Sequence, residues 1–224
     1  ARMLTVSVRG LVLLFLPVTL GLAVLREPFV RLLFERGAFT AASTQLTAGT
    51  LLFYALALLP FALEMIVVQF FFARQDTLTP VLTDVGAFVL NVALIPLLMA
   101  IFGLGGIALA AAVAKGLKVV LLLALFGRQV SEFRLRALGP FAGQVVLASL
   151  AAAIALVAFL ALGRSLAYDR GFVALLVYLA AGGLVGGSAF FLVAYLLKVD
   201  EVCELQQRVR NLWLNRGKKK PGRS

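Results

Sequence analysis

The sequence predicts an all-α, polytopic integral membrane protein, a bundle of about six transmembrane helices with additional interfacial helices. Of its 224 residues, 62% are hydrophobic and only 14% are charged, and the mean hydropathy is +1.05. A soluble domain of this size needs more polar surface than that to cover its core. Six apolar runs recur, each long enough to cross a bilayer as a helix of about 20 residues: 4–25, 46–73, 80–102, 104–126, 140–162 and 172–197.

The first run is followed by a shorter amphipathic segment, residues 28–39, which Gly37 ends. We expect this segment to form a separate short helix at the membrane interface. Its charged residues are predicted to form a solvated edge, with an outer gate as the alternative: Arg31, Glu35 and Arg36. The hydroxyl side chains within residues 40–44 can cap the second span.

The second run, residues 46–73, contains a predicted kink at Pro60 and an acid at Glu64. An ionisable group is costly at that depth, so Glu64 is expected to face a protein interior or a watery cavity. The turn over residues 74–80 then ends this helix, and its final proline suits the first turn of the next one. Two charged residues of the turn are candidate cavity contacts, with a plain helix cap as an equal alternative: Arg74 and Asp76.

Polar residues are rare in the third run. Asp84 lies one turn after Pro80, and we interpret it as complementing the positive end of the helix dipole, with a role in the cavity as the alternative. Asn91 is expected to form a hydrogen bond between helices rather than to bind an ion. Residues 102–106 leave almost no loop before the fourth run, so the third and fourth helices are predicted to be antiparallel neighbours.

Two lysines, Lys115 and Lys118, lie three residues apart in the fourth run and share one face of its helix. At about 1.5 Å per residue, Glu64 lies roughly 15 Å and Lys115 roughly 16 Å from the neighbouring ends of their helices. We therefore predict that Glu64, Lys115 and Lys118 form a charged cluster on the cavity side of the bundle. A static ion pair is the alternative.

The fifth and sixth runs carry no charge in their cores, and the sixth contains paired glycines four residues apart. Small residues at this spacing are typical of close helix packing. A lipid-binding groove is the alternative role for these glycines: Gly182, Gly183, Gly186 and Gly187. Beyond residue 197, a second amphipathic helix at the interface and a basic tail are predicted.

The net charge of +11 does not indicate nucleic-acid binding, because the basic residues form no patch interleaved with aromatic side chains. Outside the two lysines of the fourth run, fourteen basic residues fall on one predicted face of the bundle and five on the other. The positive-inside rule therefore places both ends of this segment in the cytoplasm. Since the chain does not start with methionine, we expect it to be part of a longer polypeptide.

Catalytic and metal-binding residue types are scarce. The chain has no histidine, the commonest general base, and its single Cys203 excludes an internal disulfide. Its serines have no base partner in the sequence that would activate them. We predict no enzymatic activity, no metal site and no cofactor.

Three segments taken together resemble the MurJ (MviN) family: residues 32–39, LLFERGAF; residues 72–80, FARQDTLTP; and residues 105–110, GGIALA. These proteins are lipid II flippases of the multidrug, oligosaccharidyl-lipid and polysaccharide exporter superfamily. The resemblance covers the chain as the last six transmembrane helices of the family.

The resemblance implies a multi-pass protein of the bacterial inner membrane that moves undecaprenyl-diphosphate-linked peptidoglycan precursor, lipid II, by alternating access between two lobes. It implies as partners lipid II, membrane lipids and an N-terminal lobe. It divides the chain into four helices of the C-terminal lobe at 1–126, a cytoplasmic linker at 127–139, two additional helices at 140–198, and a cytoplasmic amphipathic helix with a basic tail at 199–224. The two additional helices would extend a groove for the lipid tail, and the diphosphate headgroup of such a substrate would meet a cation at Lys115 and Lys118.

The fourth span departs from the family in carrying Lys115 and Lys118, and the third has Ile95 one turn after Asn91, where a carboxylate would help to build a sodium site. The residues of this chain therefore do not predict a sodium site. The driving force stays open between membrane potential and sodium. Two further functions stay open: export of polysaccharide units or drugs within the same superfamily, and a membrane scaffold that does not transport.

Overall fold

The computed structural model describes residues 2–130, 138–167, 171–197 and 199. In these ranges all regular secondary structure is helical. Each of the six helices is long and apolar enough to cross a membrane, which confirms the predicted all-α bundle. In chain order they are α1 (Arg2–Phe34), α2 (Ala41–Phe72), α3 (Leu78–Phe102), α4 (Gly105–Gln129), α5 (Leu138–Ala167) and α6 (Phe172–Leu196).

The helix α1 runs without interruption through Pro28, so the separate interfacial helix expected over residues 28–39 is wrong. A proline inside a helix removes one backbone hydrogen bond. Side chains just beyond it, Val30 and Leu32, are buried against the rest of the protein and hold the helix in place. The chain reverses only at Gly37, whose φ of 60° suits a residue without a Cβ.

The helices α3, α4, α2 and α1 pack in that spatial order, and the α5–α6 hairpin packs against α1. The largest core joins α1, α2 and α4 near the α2–α3 turn. There the rings of Phe71 and Phe126 meet edge to face, 5.7 Å between centroids. Since Phe53 near the other end of α2 lies against Gly105, α2 and α4 run parallel. The buried members of this core are Leu4, Val8, Leu63, Val67, Phe71, Val119, Leu122, Leu123 and Phe126.

Both turns that flank α2 are closed by local hydrogen bonds. At its start the Ser43 N–H donates to Thr40 Oγ1 at 3.4 Å, which confirms the predicted cap. At its end Gln75 adopts a left-handed φ of 60°. The N–H groups of Gln75 and Asp76 donate to the carbonyl oxygens of Phe72 and Phe71, the hydrogen-bond pattern of a Schellman motif. We call this end of the bundle the Arg74 face and the opposite end the Glu35 face.

The α3–α4 connection is as short as predicted, and the two helices are antiparallel neighbours. Gly103 turns the chain with φ 58°. Gly106, in the first turn of α4, packs so closely on α3 that a Cβ there would overlap the carbonyl group of Leu98.

Three further predictions about the organisation of the chain concern the kink at Pro60, the linker and the C-terminal tail, and the described residues cover them only in part. Pro60 lies within the continuous helix α2. The linker predicted over residues 127–139 is shorter at both ends, because α4 continues to Gln129 and α5 begins at Leu138. Residues 131–137 of that linker lie outside the described residues. So do Cys203 and the amphipathic helix and basic tail predicted over 199–224, apart from Val199, which is buried against α5 and α6.

Candidate functional site

Four charged side chains from α2, α3 and α4 meet inside the bundle and form what we call the charge cluster: Glu64, Asp84, Lys115 and Lys118. Glu64 Oε1 accepts hydrogen bonds from Lys115 Nζ at 2.8 Å and Lys118 Nζ at 2.5 Å. Lys118 Nζ also donates to Asp84 Oδ1, and Lys115 Nζ lies 3.8 Å from the same oxygen. Acids and lysines therefore alternate around a closed ring, and their formal charges cancel.

Burial differs sharply around this ring. The Lys118 side chain is 0% exposed, Glu64 is 13%, Lys115 is 28% and Asp84 is 53% exposed. A buried ammonium is costly unless it is paired, and Lys118 gains two carboxylate partners. Its complete burial also means that Lys118 does not extend along the helix to reach water. Asp84 is the most exposed member of the ring, and Lys115 is the more exposed of the two lysines.

The structure brings together the three residues that the sequence grouped by depth, Glu64, Lys115 and Lys118; their role in transport stays a prediction. Asp84 is a correction. It is the fourth member of the cluster and an ion-pair partner of Lys118, not merely a complement to the start of α3. A signal for it was present in the sequence, because two lysines at the depth of a single acid leave one positive charge that needs a second carboxylate.

Asn91 lies farther along α3, seven residues after Asp84, and is not a member of the charge cluster. Its Oδ1 is buried and accepts no hydrogen bond from the described residues, so the expected helix–helix bond to this oxygen is not formed. In the same described part of the chain, no group of three or more His, Cys, Asp or Glu side chains could hold a metal ion. A contact of Asn91 with substrate in the cavity stays a prediction, and ion binding by Asn91 stays the less favoured alternative.

Arg74 and Asp76 lie in the α2–α3 turn, outside the membrane-spanning segments. The Asp76 carboxylate caps α3, since it accepts from the Thr79 N–H at 3.0 Å and from Thr79 Oγ1 at 2.7 Å. The guanidinium of Arg74 lies 5.8 Å from the centre of the Phe126 ring. These contacts fit the helix-cap alternative that the sequence left open, and a substrate role for either residue stays a prediction.

The hydrogen bonds from the backbone and side chain of Thr79 lower the pKa of Asp76 below its ordinary value. A carboxylate whose pKa falls on folding stabilises the folded state above its unfolded pKa, and this contribution is lost as the pH falls through the folded pKa. Asp76→Ala should therefore melt below the wild type near neutral pH. The difference should shrink to nothing well below the ordinary aspartate pKa of about 3.9.

Thermal unfolding of the detergent-solubilised chain across this pH range would check the prediction. Asp76→Asn is the control, because asparagine also caps helices but does not titrate. An Asp76→Ala defect that is the same at all pH values would show that the ionised carboxylate is not what stabilises the turn.

Charged residues at the Glu35 face keep part of their surface exposed, as the predicted solvated edge requires, and they also make specific contacts. Arg31 pairs with Glu35 at 3.3 Å, and Thr44 Oγ1 donates to the same carboxylate at 2.9 Å. The Arg36 guanidinium lies 4.9 Å above the Phe172 ring at the start of α6. These contacts tie the end of α1 to α2 and α6, and the outer-gate alternative stays untested.

An apolar groove of about 860 Å³ runs between α1, α5 and α6. On α1 its lining extends from Val6 to Phe29, a length of roughly 35 Å at about 1.5 Å per residue. All four candidate glycines of α6 line it, but in two ways. Added Cβ atoms at Gly182 and Gly186 would contact Leu156 of α5, whereas those at Gly183 and Gly187 would meet open space. One glycine pair thus packs helices, and the other keeps the groove wide.

Ser149 of α5 also lines this groove and was not singled out for it from the sequence. The residue is 1% exposed, and its Oγ has no hydrogen-bond partner among the described residues. An isolated serine in an apolar run gives no sign of which way it points, so only the packing of α5 on α1 could reveal it.

A smaller cleft, about 330 Å³, lies between α3 and α4 beside the charge cluster. Lys118 is the one charged side chain among its lining residues. The rest of the lining is small or apolar apart from Thr83: Leu82, Thr83, Gly86, Ala87, Leu90, Ala114, Leu117 and Leu121. The cleft therefore leads to the buried end of the ring.

Comparisons with known proteins converge on one family. The family model described as Lipid II flippase MurJ matches residues 1–181. A probable lipid II flippase MurJ of Bdellovibrio bacteriovorus is 30% identical over 191 residues, which are 85% of this chain and 36% of that protein. One of Rhizobium meliloti is 40% identical over 118 residues, 53% of this chain and 22% of that protein. The chain thus spans about a third or less of the length of these relatives.

A solved structure, lipid II flippase MurJ in an inward closed conformation, superimposes with a TM-score of 0.69. The match covers 89% of this chain and 39% of that one at 21% sequence identity. At this identity the similarity supports the fold of the six helices. It carries no argument about the function of individual residues, which is argued from the geometry described above.

Proposed function

The chain belongs to the lipid II flippase MurJ family, and on that basis we propose that it forms part of a flippase for undecaprenyl-diphosphate-linked peptidoglycan precursor in the bacterial inner membrane. The family is one of flippases, and the proposal includes no enzymatic step. Lipid II, membrane lipids and the N-terminal lobe of a full-length flippase are the proposed partners.

The observation that carries this proposal is the length of the groove. The hydrocarbon core of a bilayer is about 30 Å thick. The α1 wall of the groove, roughly 35 Å long, is long enough to cross both leaflets, and α5 and α6 line the groove over part of that length, roughly 11 and 14 Å. An acyl chain of an ordinary phospholipid reaches across only its own leaflet. A polyprenyl chain is long enough to use the whole groove, which favours a polyprenyl-linked substrate over a drug or a free sugar.

Transport is proposed to proceed by alternating access, in which two lobes rock about a central site. Both ends of this segment are proposed to be cytoplasmic, because the sequence predicts fourteen basic residues on the side of the membrane that holds Arg74 and five on the other. No cofactor is part of the proposal, and membrane potential and a sodium gradient remain the alternatives for the driving force.

Bulky residues in the groove should block the function. We expect Gly183→Leu and Gly187→Leu to lower lipid II translocation about tenfold or more, because filling a space that the substrate needs costs about 1–3 kcal/mol or above. Neither change should unfold α6, since an added Cβ meets open space at both positions and leucine favours helix over glycine. The assay is translocation in liposomes by a chimera in which this chain follows the N-terminal portion of the Bdellovibrio bacteriovorus relative.

Gly143→Leu is the matched control, because Gly143 is an exposed, open position on α5 outside the groove lining. The 224-residue chain reconstituted without a second lobe should be inactive, since alternating access needs both. Full translocation by the well-folded Gly183→Leu and Gly187→Leu chimeras would count against the groove as the lipid path. A wild-type chimera that folds but does not translocate lipid II would count against the proposed function.

A further inference from the structure

We infer that the charge cluster is a binding site for the diphosphate group of a lipid-linked substrate, and that the Asp84 carboxylate occupies the place that a substrate phosphate takes. This inference rests on the proposed function, because it assigns to that function a headgroup contact on α3 and α4. It adds to the groove, which has an apolar lining and can hold only the tail.

The two lysines already present the geometry that an anion needs. Lys115 Nζ and Lys118 Nζ both reach one atom, Glu64 Oε1, at 2.8 and 2.5 Å. Two ammonium groups that can share one carboxylate oxygen can share one phosphate oxygen in the same way. Asp84 Oδ1 marks a second such position, bound to Lys118 and 3.8 Å from Lys115.

Asp84 is also the member of the cluster whose side chain can be displaced with the least disruption of the packing. It is half exposed, whereas Lys118 behind it is fully buried. It is carried by α3, which packs along α4 and scarcely touches α2. The cleft between α3 and α4 has Lys118 in its wall. An anion entering beside α3 would therefore need to displace one accessible carboxylate, not open a packed core.

Charge balance explains why such a site would carry its own carboxylate. With Asp84 in place the ring is neutral, which suits a position inside the hydrocarbon region. If Asp84 left without replacement, Lys118 would keep Glu64 as its one carboxylate in the ring and the cluster would carry a positive charge. One phosphate group of a lipid-linked diphosphate carries one negative charge and restores the balance, while the second phosphate lies outside the ring. Exchange of Asp84 for that phosphate keeps the buried lysine paired in both states.

The test uses the full chain in lipid nanodiscs with farnesyl diphosphate as the probe, and measures the dissociation constant by isothermal titration calorimetry. Asp84→Asn should bind about tenfold more tightly or better, because it removes a like charge from contact with the anion. Lys115→Gln should bind about tenfold more weakly or worse for the converse reason. Arg128→Gln, an exposed cation on the same helix, is the matched control and should bind as the wild type does.

If Asp84→Asn bound farnesyl diphosphate as the wild type does, or more weakly, the inference would be overturned. An equal loss of affinity in Lys115→Gln and Arg128→Gln would also overturn it, because that result indicates only a general attraction of the anion to positive charge. Binding of farnesyl diphosphate in preference to inorganic pyrophosphate supports a lipid-linked source, and the absence of that preference contradicts it.

A second measurement on the wild-type chain avoids variants that fail to fold. Farnesyl diphosphate should protect Lys115 from acetylation, as read by mass spectrometry, and farnesol should not; absence of protection would contradict the inference. Neither assay involves transport. If the chimera translocates lipid II but these assays fail, the inference falls and the proposed function stands. If the assays succeed and translocation fails, the function falls instead.

Discussion

Glu64→Gln should destabilise the chain by about 3–5 kcal/mol, the usual effect of removing one partner from a buried ion pair. The effect is expected to be large because both lysines donate to the same atom, Glu64 Oε1. Without that carboxylate, Lys115 and Lys118 would repel each other inside the bundle, and only the half-exposed Asp84 would remain to pair with them. Unfolding of the chain in mixed detergent micelles, monitored by circular dichroism, measures the change.

The double variant Glu64→Gln/Lys118→Gln should recover most of the lost stability. It leaves Asp84 and Lys115 as a neutral pair, so the coupling between the two substitutions should be strongly favourable in a double-mutant cycle. Asp76→Asn, which neutralises a partly buried acid outside the cluster and keeps a side chain that can cap α3, serves as the control and should cost much less. A loss below about 1 kcal/mol for Glu64→Gln would mean that the cluster behaves like a surface ion pair.

Gly106→Ala should also be strongly destabilising, because the added Cβ would overlap the backbone carbonyl of Leu98. Helix backbone cannot move aside as a flexible side chain can, so α3 and α4 would have to separate at their tight turn. Overpacking of this kind costs about 1–3 kcal/mol or more, which exceeds the gain of about 1 kcal/mol from replacing glycine with alanine in a helix. The same unfolding measurement applies.

Gly86→Ala on α3 is the matched control, because an added Cβ there meets nothing within 4 Å. It should leave stability unchanged or raise it by up to about 1 kcal/mol. If Gly106→Ala were as stable as Gly86→Ala, the close approach of α4 to Leu98 would not be needed by the fold.

The sequence by itself determined the features that depend on local physics. Hydropathy over about 20 residues identifies a membrane helix wherever it packs, because lipid requires both an apolar surface and satisfied backbone hydrogen bonds. The Thr40 cap and the α3–α4 turn at Gly103 likewise follow from side chains only a few positions apart. Even the ion pair between Glu64 and Lys115 could be predicted, because opposite charges at equal depth in an apolar bundle are stabilised by pairing with each other.

Only the tertiary structure decided which side chains meet when depth alone does not choose between them. From the sequence, Asp84 could have interacted with the start of α3 alone. The packing of α3 on α4 brings its carboxylate to Lys118 instead. Burial of Val30 and Leu32 carried α1 through Pro28, against the local preference of proline. The groove is formed by three helices of which α1 is distant in sequence from α5 and α6. The local sequence determines which side chains lie on each face of a helix. Packing between helices that are distant in sequence determines which other helix each face contacts.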